Sequence, residues 1–224
     1  MKKTVFLITF AALLLASMLF AQNNPPRING VIWKPDGISL TYVEGNGSIN
    51  GFFIGRFEIT QAQWEAVMGD NPSKFKGDNL PVETVGWNDV QEFLKKLNEQ
   101  TGRNYRLPTE AEWRYAASGG NISNGYKYAG SNNLDEVAWY IDNSGERSHP
   151  VGTKKPNELG IFDMCGNVLE WFMGSKGDYC YTGGNHSFPR FNTSKQLSLK
   201  YKSLSFRNPN IRGSEIGFRV VLSY

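Results

Sequence analysis

The sequence predicts an α+β fold, a single domain with short helices, a small antiparallel sheet and long irregular loops. Of its 224 residues, 24 are glycine and 13% are aromatic, which argues against a plain helix bundle. Glycine permits the positive φ angles that irregular loops need, and large aromatic side chains can fill the core between such loops. Helical periodicity is confined to the first half of the chain, whereas about the last 100 residues show only turns and short extended runs.

The first 21 residues differ from the rest and predict export. Lys2 and Lys3 precede an uncharged apolar run over residues 4–20, and Ala21 provides a small residue for cleavage. This pattern is typical of a secretory signal peptide, with an uncleaved membrane anchor as the alternative. We therefore expect a periplasmic, cell-surface or secreted protein, in which a linker over 22–30 leads into a domain over 31–224.

Charge and cysteine content limit the partners and the redox chemistry. Removal of the two leader lysines lowers the formal charge from +3 to +1, so no nucleic-acid surface is expected, and a membrane contact only through an uncleaved leader. Cys165 and Cys180 remain. They are expected either as a disulfide closing a loop of about 15 residues, worth ~3 kcal/mol, or as two buried thiols.

The elements follow in chain order. Residues 31–33 are extended, and a glycine-rich turn over 44–51 leads into a strand over 52–59. In this strand one face carries Phe53, Gly55, Phe57 and Ile59, and the other carries Ile54, Arg56 and Glu58. Capping boxes then predict three helices, of which the first ends at Gly69 and the second at Gly102. The boxes are Thr60 with Gln63, Asn88 with Gln91, and Thr109 with Glu112. A buried strand over 217–222 closes the chain and is expected to pair with 52–59.

Standard catalytic motifs are missing from the sequence. It has no P-loop, no dinucleotide-binding glycine motif, no Gly-x-Ser-x-Gly elbow and no His-Glu-x-x-His. His149 and His186 are the two histidines, which excludes a multi-histidine zinc site. His149 is interpreted as a loop histidine bonded to backbone, whereas His186 lies in a Gly-Gly-Asn-His-Ser turn where it could meet a ligand.

One stretch has the spacing of a metal site. Asp163 and Glu170 bracket a tight turn at Gly166 and Asn167, whose carbonyl groups can point at the same centre. Hard oxygen ligands of this kind suit calcium, Ca²⁺, which accepts both carboxylate and backbone oxygens. The alternative is that Asp163 caps a turn and Glu170 is a solvated surface group.

Six stretches together resemble the sulfatase-modifying-factor family, whose best-known members are the formylglycine-generating enzymes. They are residues 55–64, 71–73, 80–83, 105–113, 166–171 and 217–221. The resemblance covers about residues 51–222 and implies a variant of the C-type lectin fold. It also implies a structural calcium ion, held by the side chains of Asp163 and Glu170 and the carbonyls of Gly166 and Val168. A second calcium site would fall near 137–148, but no ligands can be aligned there.

The family's catalytic cysteine pair does not carry over. Aligned forward from Gly183, its two positions fall on Phe188 and Thr193, and aligned back from the C-terminal strand they fall on Phe191 and Gln196. Neither alignment places a thiol, so the copper-dependent oxidation of a substrate cysteine has no ligands here. We therefore assign no catalytic residues and expect a protein that is not an enzyme.

The region that would carry catalysis has instead the composition of a binding surface. Aromatic anchors alternate with small polar groups over residues 178–207, below called the C-terminal segment. This resembles the diversified segment in variable proteins of diversity-generating retroelements, although an ordinary long surface loop remains the alternative. The predicted ligand-binding residues are Tyr179, Tyr181, Asn185, His186, Phe188, Arg190, Phe191 and Asn192.

Three functions follow from these patterns. The first is an exported binding protein on a calcium-supported scaffold, recognising a protein or other surface ligand through the C-terminal segment. The second is an oxidoreductase of the family with an altered site, using Cys180 with His186. The third is a structural accessory protein of the cell envelope.

Overall fold

The structure is a computed structural model that describes residues 31–32, 37–174, 179–187, 198–199, 204–206 and 208–223. Its strands form two sheets, with helices in the connections between them. This confirms the predicted α+β class with short helices, although the predicted single antiparallel sheet is replaced by two small sheets, of which the second includes one parallel pair. In the described part of the chain, no helix is long and apolar enough to cross a membrane.

The first sheet brings both ends of the described chain together. Its order is β1-β2-β3-β9-β4, and every pairing in it is antiparallel. In the centre, Phe53 faces Leu222 and Ile54 faces Val221, which confirms that the two terminal apolar segments pair. The strands are β1 (Val31–Ile32), β2 (Leu40–Val43), β3 (Phe52–Gly55), β4 (Tyr105–Arg106) and β9 (Val221–Leu222).

The second sheet carries the candidate site. Its order is β7-β6-β5-β8, in which β5 and β8 are parallel and the other pairs antiparallel. Strands β6 and β7 enclose most of the C-terminal segment, so that segment begins and ends on the sheet. The strands are β5 (Leu169–Met173), β6 (Tyr179–Thr182), β7 (Leu204–Phe206) and β8 (Ile216–Phe218).

The predicted terminal strand over 217–222 is divided between the two sheets. Its first part belongs to β8, where Gly217 pairs with Glu170, and its second part is β9. Likewise β3 ends at Gly55, whereas the prediction extended it to residue 59. Beyond Gly55 the backbone still bonds across the junction, since the amide of Ile59 donates to the carbonyl of Phe218 at 2.9 Å. The C-terminal run therefore ties the two sheets to each other.

Two of the three predicted capping boxes are confirmed. Thr60 caps α1 (Gln61–Met68), which ends at Gly69 in the left-handed conformation, and Thr109 caps α3 (Glu110–Ala117). A 3₁₀ turn follows at Gly120–Ile122, and a four-residue helix, α4, at Leu134–Val137.

The start of α2 (Trp87–Thr101) differs from the prediction. Its N-cap is Gly86, not Asn88, and the amide of Gly86 donates to Asp89 Oδ2 at 2.7 Å. Glycine is favoured here for a steric reason, because a Cβ at position 86 would lie 3.0 Å from the carbonyl oxygen of Pro209 and would require the two segments to move apart by a few tenths of an ångström. The helix ends at Gly102 as predicted, and its buried face carries Val90 and Phe93.

The core consists of two clusters of buried side chains. One is aromatic, with Trp64 stacked on Phe93 at 5.2 Å and Phe218 set edge-on against Phe93 at 5.3 Å. The other lies around α3 and includes Trp113 and Met164. The candidate site lies where α3, β5 and the C-terminal run meet.

Candidate functional site

A buried group of four charged side chains, below called the charge cluster, lies beneath strand β5. Its members are Glu58, Asp163, Glu170 and Arg219, all at most 3% exposed. Arg219 donates to Glu170 through two nitrogens, Nε to Oε2 and Nη2 to Oε1, each at 2.6 Å. The indole of Trp113 donates to Glu170 Oε2 at 2.7 Å. A two-bond pair of this kind is strong, and it is shielded from water.

The charge cluster contains three carboxyl groups and one guanidinium. Burial raises the pKa of Asp163 to about 6; the charge on Glu170 adds to the rise, whereas the amide of Gly152 and Arg219 oppose it. Burial likewise raises the pKa of Glu58 well above its ordinary value, with further contributions from Asp163 and Glu170. Arg219 can balance one carboxylate, so the other two must take up protons or a cation.

These residues fit the calcium ion that the resemblance implies. Asp163 and Glu170, seven positions apart in the sequence, both belong to the charge cluster. Glu170 accepts two hydrogen bonds on Oε2 and one on Oε1, so one lone pair of Oε1 is still able to bind a cation. No set of three His, Cys, Asp or Glu side chains in the described chain is arranged as a metal centre. The implied calcium set needs only two side chains, completed by the carbonyls of Gly166 and Val168. A bound calcium ion would supply the positive charge that the cluster lacks.

The backbone of the turn over residues 163–170, below called the metal turn, has an unusual conformation. Asp163 and Asn167 have φ of 58° and 56°, in the left-handed region that Asn and Asp tolerate best after glycine. Gly166 has φ of 83°, and a Cβ there would lie 2.3 Å from the carbonyl oxygen of Trp139. The turn is therefore pressed against the chain at Trp139. Glu170 is fully buried, so the alternative that it is a solvated surface group is wrong.

The predicted ligand-binding residues do not share one exposed surface. Tyr181, Asn185 and His186 are buried, which contradicts their expected role as exposed contact residues. Tyr181 stands edge-on against Trp171 with ring centroids 5.3 Å apart, and burial raises its pKa to about 12. Tyr181 and His186 fix the base of the C-terminal segment to the core, whereas the side chain of Asn185 accepts from the amide of Ser187 at 2.8 Å within the segment itself. Tyr179 pairs with Phe206 through its backbone, but its side chain lies outside the described part, as do Phe188, Arg190, Phe191 and Asn192.

His186 is held in place by its backbone and one ring nitrogen. Its amide donates to the carbonyl of Asn167 at 2.9 Å, its carbonyl accepts from Ser144 Oγ at 2.7 Å, and Nε2 lies 3.1 Å from the carbonyl oxygen of Ser214. Since a carbonyl can only accept, Nε2 carries the proton. Nδ1 is buried and has no hydrogen-bond partner in the described chain. Burial lowers the pKa of His186, which keeps the ring neutral.

The two thiols are both buried. Cys165 Sγ accepts from the amide of Ala129 at 3.4 Å, and burial raises the pKa of this thiol to about 12. Cys180 lies inside β6, where its backbone pairs with Phe172 and Ser205. Both remain thiols, which agrees with the second of the two expectations for them. A redox site built on Cys180 and His186 would need an accessible thiolate, and both side chains are buried.

Sequence reasoning missed Glu58 and Arg219 as members of the charge cluster, and Trp113 as a hydrogen-bond donor to it. Strand alternation placed Glu58 opposite the core, but it is 1% exposed because β3 has already ended and the chain turns under the metal turn. A signal was present at Arg219, a charged residue inside the apolar run Gly217–Val221. A charge at such a position is rarely buried without a partner.

The sequence of the chain is similar to a family model and to proteins of known sequence. A family model described as "Sulfatase-modifying factor enzyme 1-like domain" matches residues 43–224, more than three quarters of the chain. Over 225 aligned positions the chain is 36% identical to "Chaperone protein LppX" of Paenibacillus barcinonensis, covering 76% of this chain and 80% of that protein. It is 32% identical over 125 residues to a formylglycine-generating enzyme of Thermomonospora curvata. That match covers 50% of this chain and only 39% of the enzyme.

Among solved structures, the chain is similar to Treponema denticola variable protein 1. The superposition has a TM-score of 0.72 at 25% sequence identity and covers 85% of this chain and 97% of that one.

Proposed function

Within the family of sulfatase-modifying factor enzyme 1-like domains, to which the chain belongs, we propose that this protein is an exported, non-catalytic binding protein that recognises its ligand through the C-terminal segment. The observation that carries this proposal is that both ends of the segment are strands of the second sheet. It leaves the second sheet at β6 and returns at β7, so its ends are fixed by backbone pairing of Tyr179, Cys180 and Tyr181. Binding loops on a rigid scaffold are the usual arrangement for recognition.

The middle of the segment is also attached to the body of the protein. The amide of Leu199 donates to the carbonyl of Lys127 at 3.1 Å, and Arg114 donates to the carbonyl of Leu199 at 3.4 Å. The side chain of Leu199 packs against the core cluster around α3. Two sheet strands and this contact divide the segment into shorter spans, which lowers the entropy that ligand binding must remove.

A non-catalytic role is supported by the state of the thiols. The family's two cysteine positions hold no cysteine in this chain, and Cys165 and Cys180 are buried in the core and in β6. Burial raises the pKa of the Cys165 thiol to about 12, so this thiol is almost entirely protonated at neutral pH and is a poor nucleophile and copper ligand. The similarity to a variable protein supports the same conclusion.

The binding experiment compares two variants that remove similar groups from different places. Substitutions F188A, R190A and F191A remove side chains of the C-terminal segment, whereas I122A and K95A remove an exposed apolar group and an exposed cationic group elsewhere. The immobilised proteins are probed with biotinylated cell-surface proteins and with a glycan array. We expect specific capture by the wild type and by the control variant and its loss in the segment variant. Equal capture by all three proteins would overturn the proposal.

The catalytic alternative is tested by thiol labelling of the native and the denatured protein, read by mass spectrometry. We expect neither cysteine to react in the native protein, both to react after denaturation, and added copper to be removed by dialysis. Rapid native labelling of Cys180, or copper retained in proportion to protein, would return the oxidoreductase hypothesis to first place.

A further inference from the structure

Asn167 lies between two of the candidate calcium ligands and bonds to four separate parts of the chain. It is fully buried and has φ of 56°, with Gly166 and Val168 as its neighbours in the metal turn. The carbonyls of those neighbours belong to the implied calcium set. A ligand that fixes both carbonyls therefore fixes the peptide group between Gly166 and Asn167 and the one after Val168. The peptide group between Asn167 and Val168, which carries the Asn167 carbonyl, is then held between two fixed peptide groups.

The side chain of Asn167 bonds in two directions. Nδ2 donates to Glu58 Oε2 at 2.7 Å and to the carbonyl of His149 at 3.2 Å, and Oδ1 accepts from the amide of His149 at 2.9 Å. Both hydrogens of the amide group and its oxygen are thus used. The reciprocal bonds to His149 hold the loop over residues 144–149 against the metal turn.

The backbone of Asn167 bonds to two further segments. Its amide donates to the carbonyl of Trp139 at 2.8 Å, and its carbonyl accepts from the amide of His186 at 2.9 Å. The two loops are also joined to each other, because Ser144 Oγ donates to the carbonyl of His186 and His149 Nε2 lies 2.7 Å from the carbonyl oxygen of Ser144. Asn167, the 144–149 loop and the base of the C-terminal segment therefore form one closed set of hydrogen bonds.

We propose that Asn167 is a positioning residue through which cation binding at the metal turn fixes the 144–149 loop and the base of the C-terminal segment. The inference rests on the proposed function for the role of that segment. Without a cation, the turn is held by a crowded left-handed backbone and its interior carries excess negative charge. With a cation, the peptide groups before Asn167 and after Val168 are held, so the position of Asn167 between them is restricted, and its bonds to His149 and His186 are restricted with it. Calcium thereby pre-organises the ligand surface.

The test measures hydrogen exchange of single amides in the full-length protein, in excess CaCl₂ and in excess EGTA. The amides of His149 and His186 report on the two loops, and those of Trp64 and Gly102, which bond within and just after α1 and α2, serve as references. In the wild type we expect calcium to slow exchange at His149 and His186 at least tenfold more than at the reference amides. Equal slowing at all four amides would reveal a general stabiliser and would overturn the inference, as would the absence of calcium binding.

Two variants separate the coupling from simple stability. Asn167→Gly keeps the left-handed backbone and removes the side-chain bonds, so calcium should still bind while its selective effect on His149 disappears. Asn167→Asp keeps the acceptor for the His149 amide and loses both donations, to Glu58 and to the carbonyl of His149. It gives a second reading if the glycine variant does not fold, and an intermediate effect at His149 is expected. Selective slowing at wild-type strength in the variants would overturn the inference. Because the measurement needs no ligand, its result is independent of whether the ligand-capture experiment succeeds.

Discussion

Arg219 holds more of the molecule together than its single charge suggests. Besides its two bonds to Glu170, Nη1 donates to the carbonyl of Gly55 at 3.1 Å and Nη2 to the carbonyl of Phe162 at 2.9 Å. One buried side chain thus connects β3, the segment before the metal turn and β5. Such a residue is tolerated inside a protein because four of its five N–H donors have hydrogen-bond acceptors and its charge is paired with that of Glu170.

The first prediction concerns removal of this guanidinium. Arg219→Met keeps the apolar bulk and leaves three carboxyl groups buried without a counter-charge, so we expect a loss of about 3–5 kcal/mol in the free energy of unfolding, measured in urea. The matched control is Arg212→Met, which breaks an ion pair with Asp89 whose arginine is 56% exposed. That change should cost no more than about 1 kcal/mol. Equal losses in the two variants would contradict the role of Arg219.

The second prediction concerns pH and His186. Burial lowers the folded-state pKa of His186 below its ordinary value, and the positive charges of His149 and Lys74 add to this shift. The carbonyl of Ser214 and the charge on Glu215 oppose the shift but do not cancel it. The unfolded chain therefore binds the proton more tightly, and the stability due to neutral His186 is present above about pH 6.5 and is lost as the pH falls through the folded-state pKa.

His186→Gln removes this titration, and the comparison is made by urea unfolding between pH 7.5 and 5. We expect the stability advantage of the wild type to shrink as the pH falls, with a slope of at most about 1.4 kcal/mol per pH unit. Parallel stability profiles for the two proteins would contradict the prediction.

At the level of elements, the sequence predicted those whose signals are local. Thr60 and Thr109 carry their capping boxes in four consecutive residues, and both helices begin where these boxes place them. Gly86 could not be found in this way, because what selects glycine there is the carbonyl of Pro209, more than 120 residues away. The division of 217–222 between two sheets likewise depends on which partner strands lie on either side.

The candidate site shows the same division between local and distant causes. The spacing of Asp163 and Glu170 identified the metal turn, and both residues do reach one buried cluster. Glu58 and Arg219 come from segments more than 45 residues away from Glu170, so only the folded chain brings them together. The burial of Tyr181 and His186 could not be predicted either, since their composition is equally typical of an exposed binding loop.

The third prediction tests the close approach of the metal turn to the chain at Trp139. Gly166 and Gly102 both have positive φ, but a Cβ at Gly166 would lie 2.3 Å from the carbonyl oxygen of Trp139, whereas one at Gly102 meets nothing within 4 Å. Gly102→Ala should therefore cost only the backbone term of about 1–2 kcal/mol. Gly166→Ala must also displace the turn and should cost several kcal/mol more. Similar unfolding midpoints in urea for the two variants would show that the turn is not constrained.

At the scale of the whole molecule, the charge cluster lies at the junction on which the fold depends. Glu58 follows β3 of the first sheet, Glu170 lies in β5 of the second, and Arg219 lies between β8 and β9, where the chain passes from one sheet to the other. Excess negative charge at this junction opposes the association of the two sheets. A cation bound at the metal turn should therefore stabilise the domain as a whole.

The fourth prediction is a calcium-dependent gain in stability that requires Asp163. At a calcium concentration 100 times the dissociation constant, linkage gives about 2.7 kcal/mol, which for a domain of this size raises the melting temperature by roughly 5–10 °C. Asp163→Asn removes a ligand charge and should abolish most of this shift. Glu136→Gln, which neutralises a partly exposed carboxylate in α4, should retain it. If the Asp163 variant responds to CaCl₂ as the wild type does, calcium acts elsewhere, and the excess negative charge of the cluster must be balanced by protons on Glu58 and Asp163.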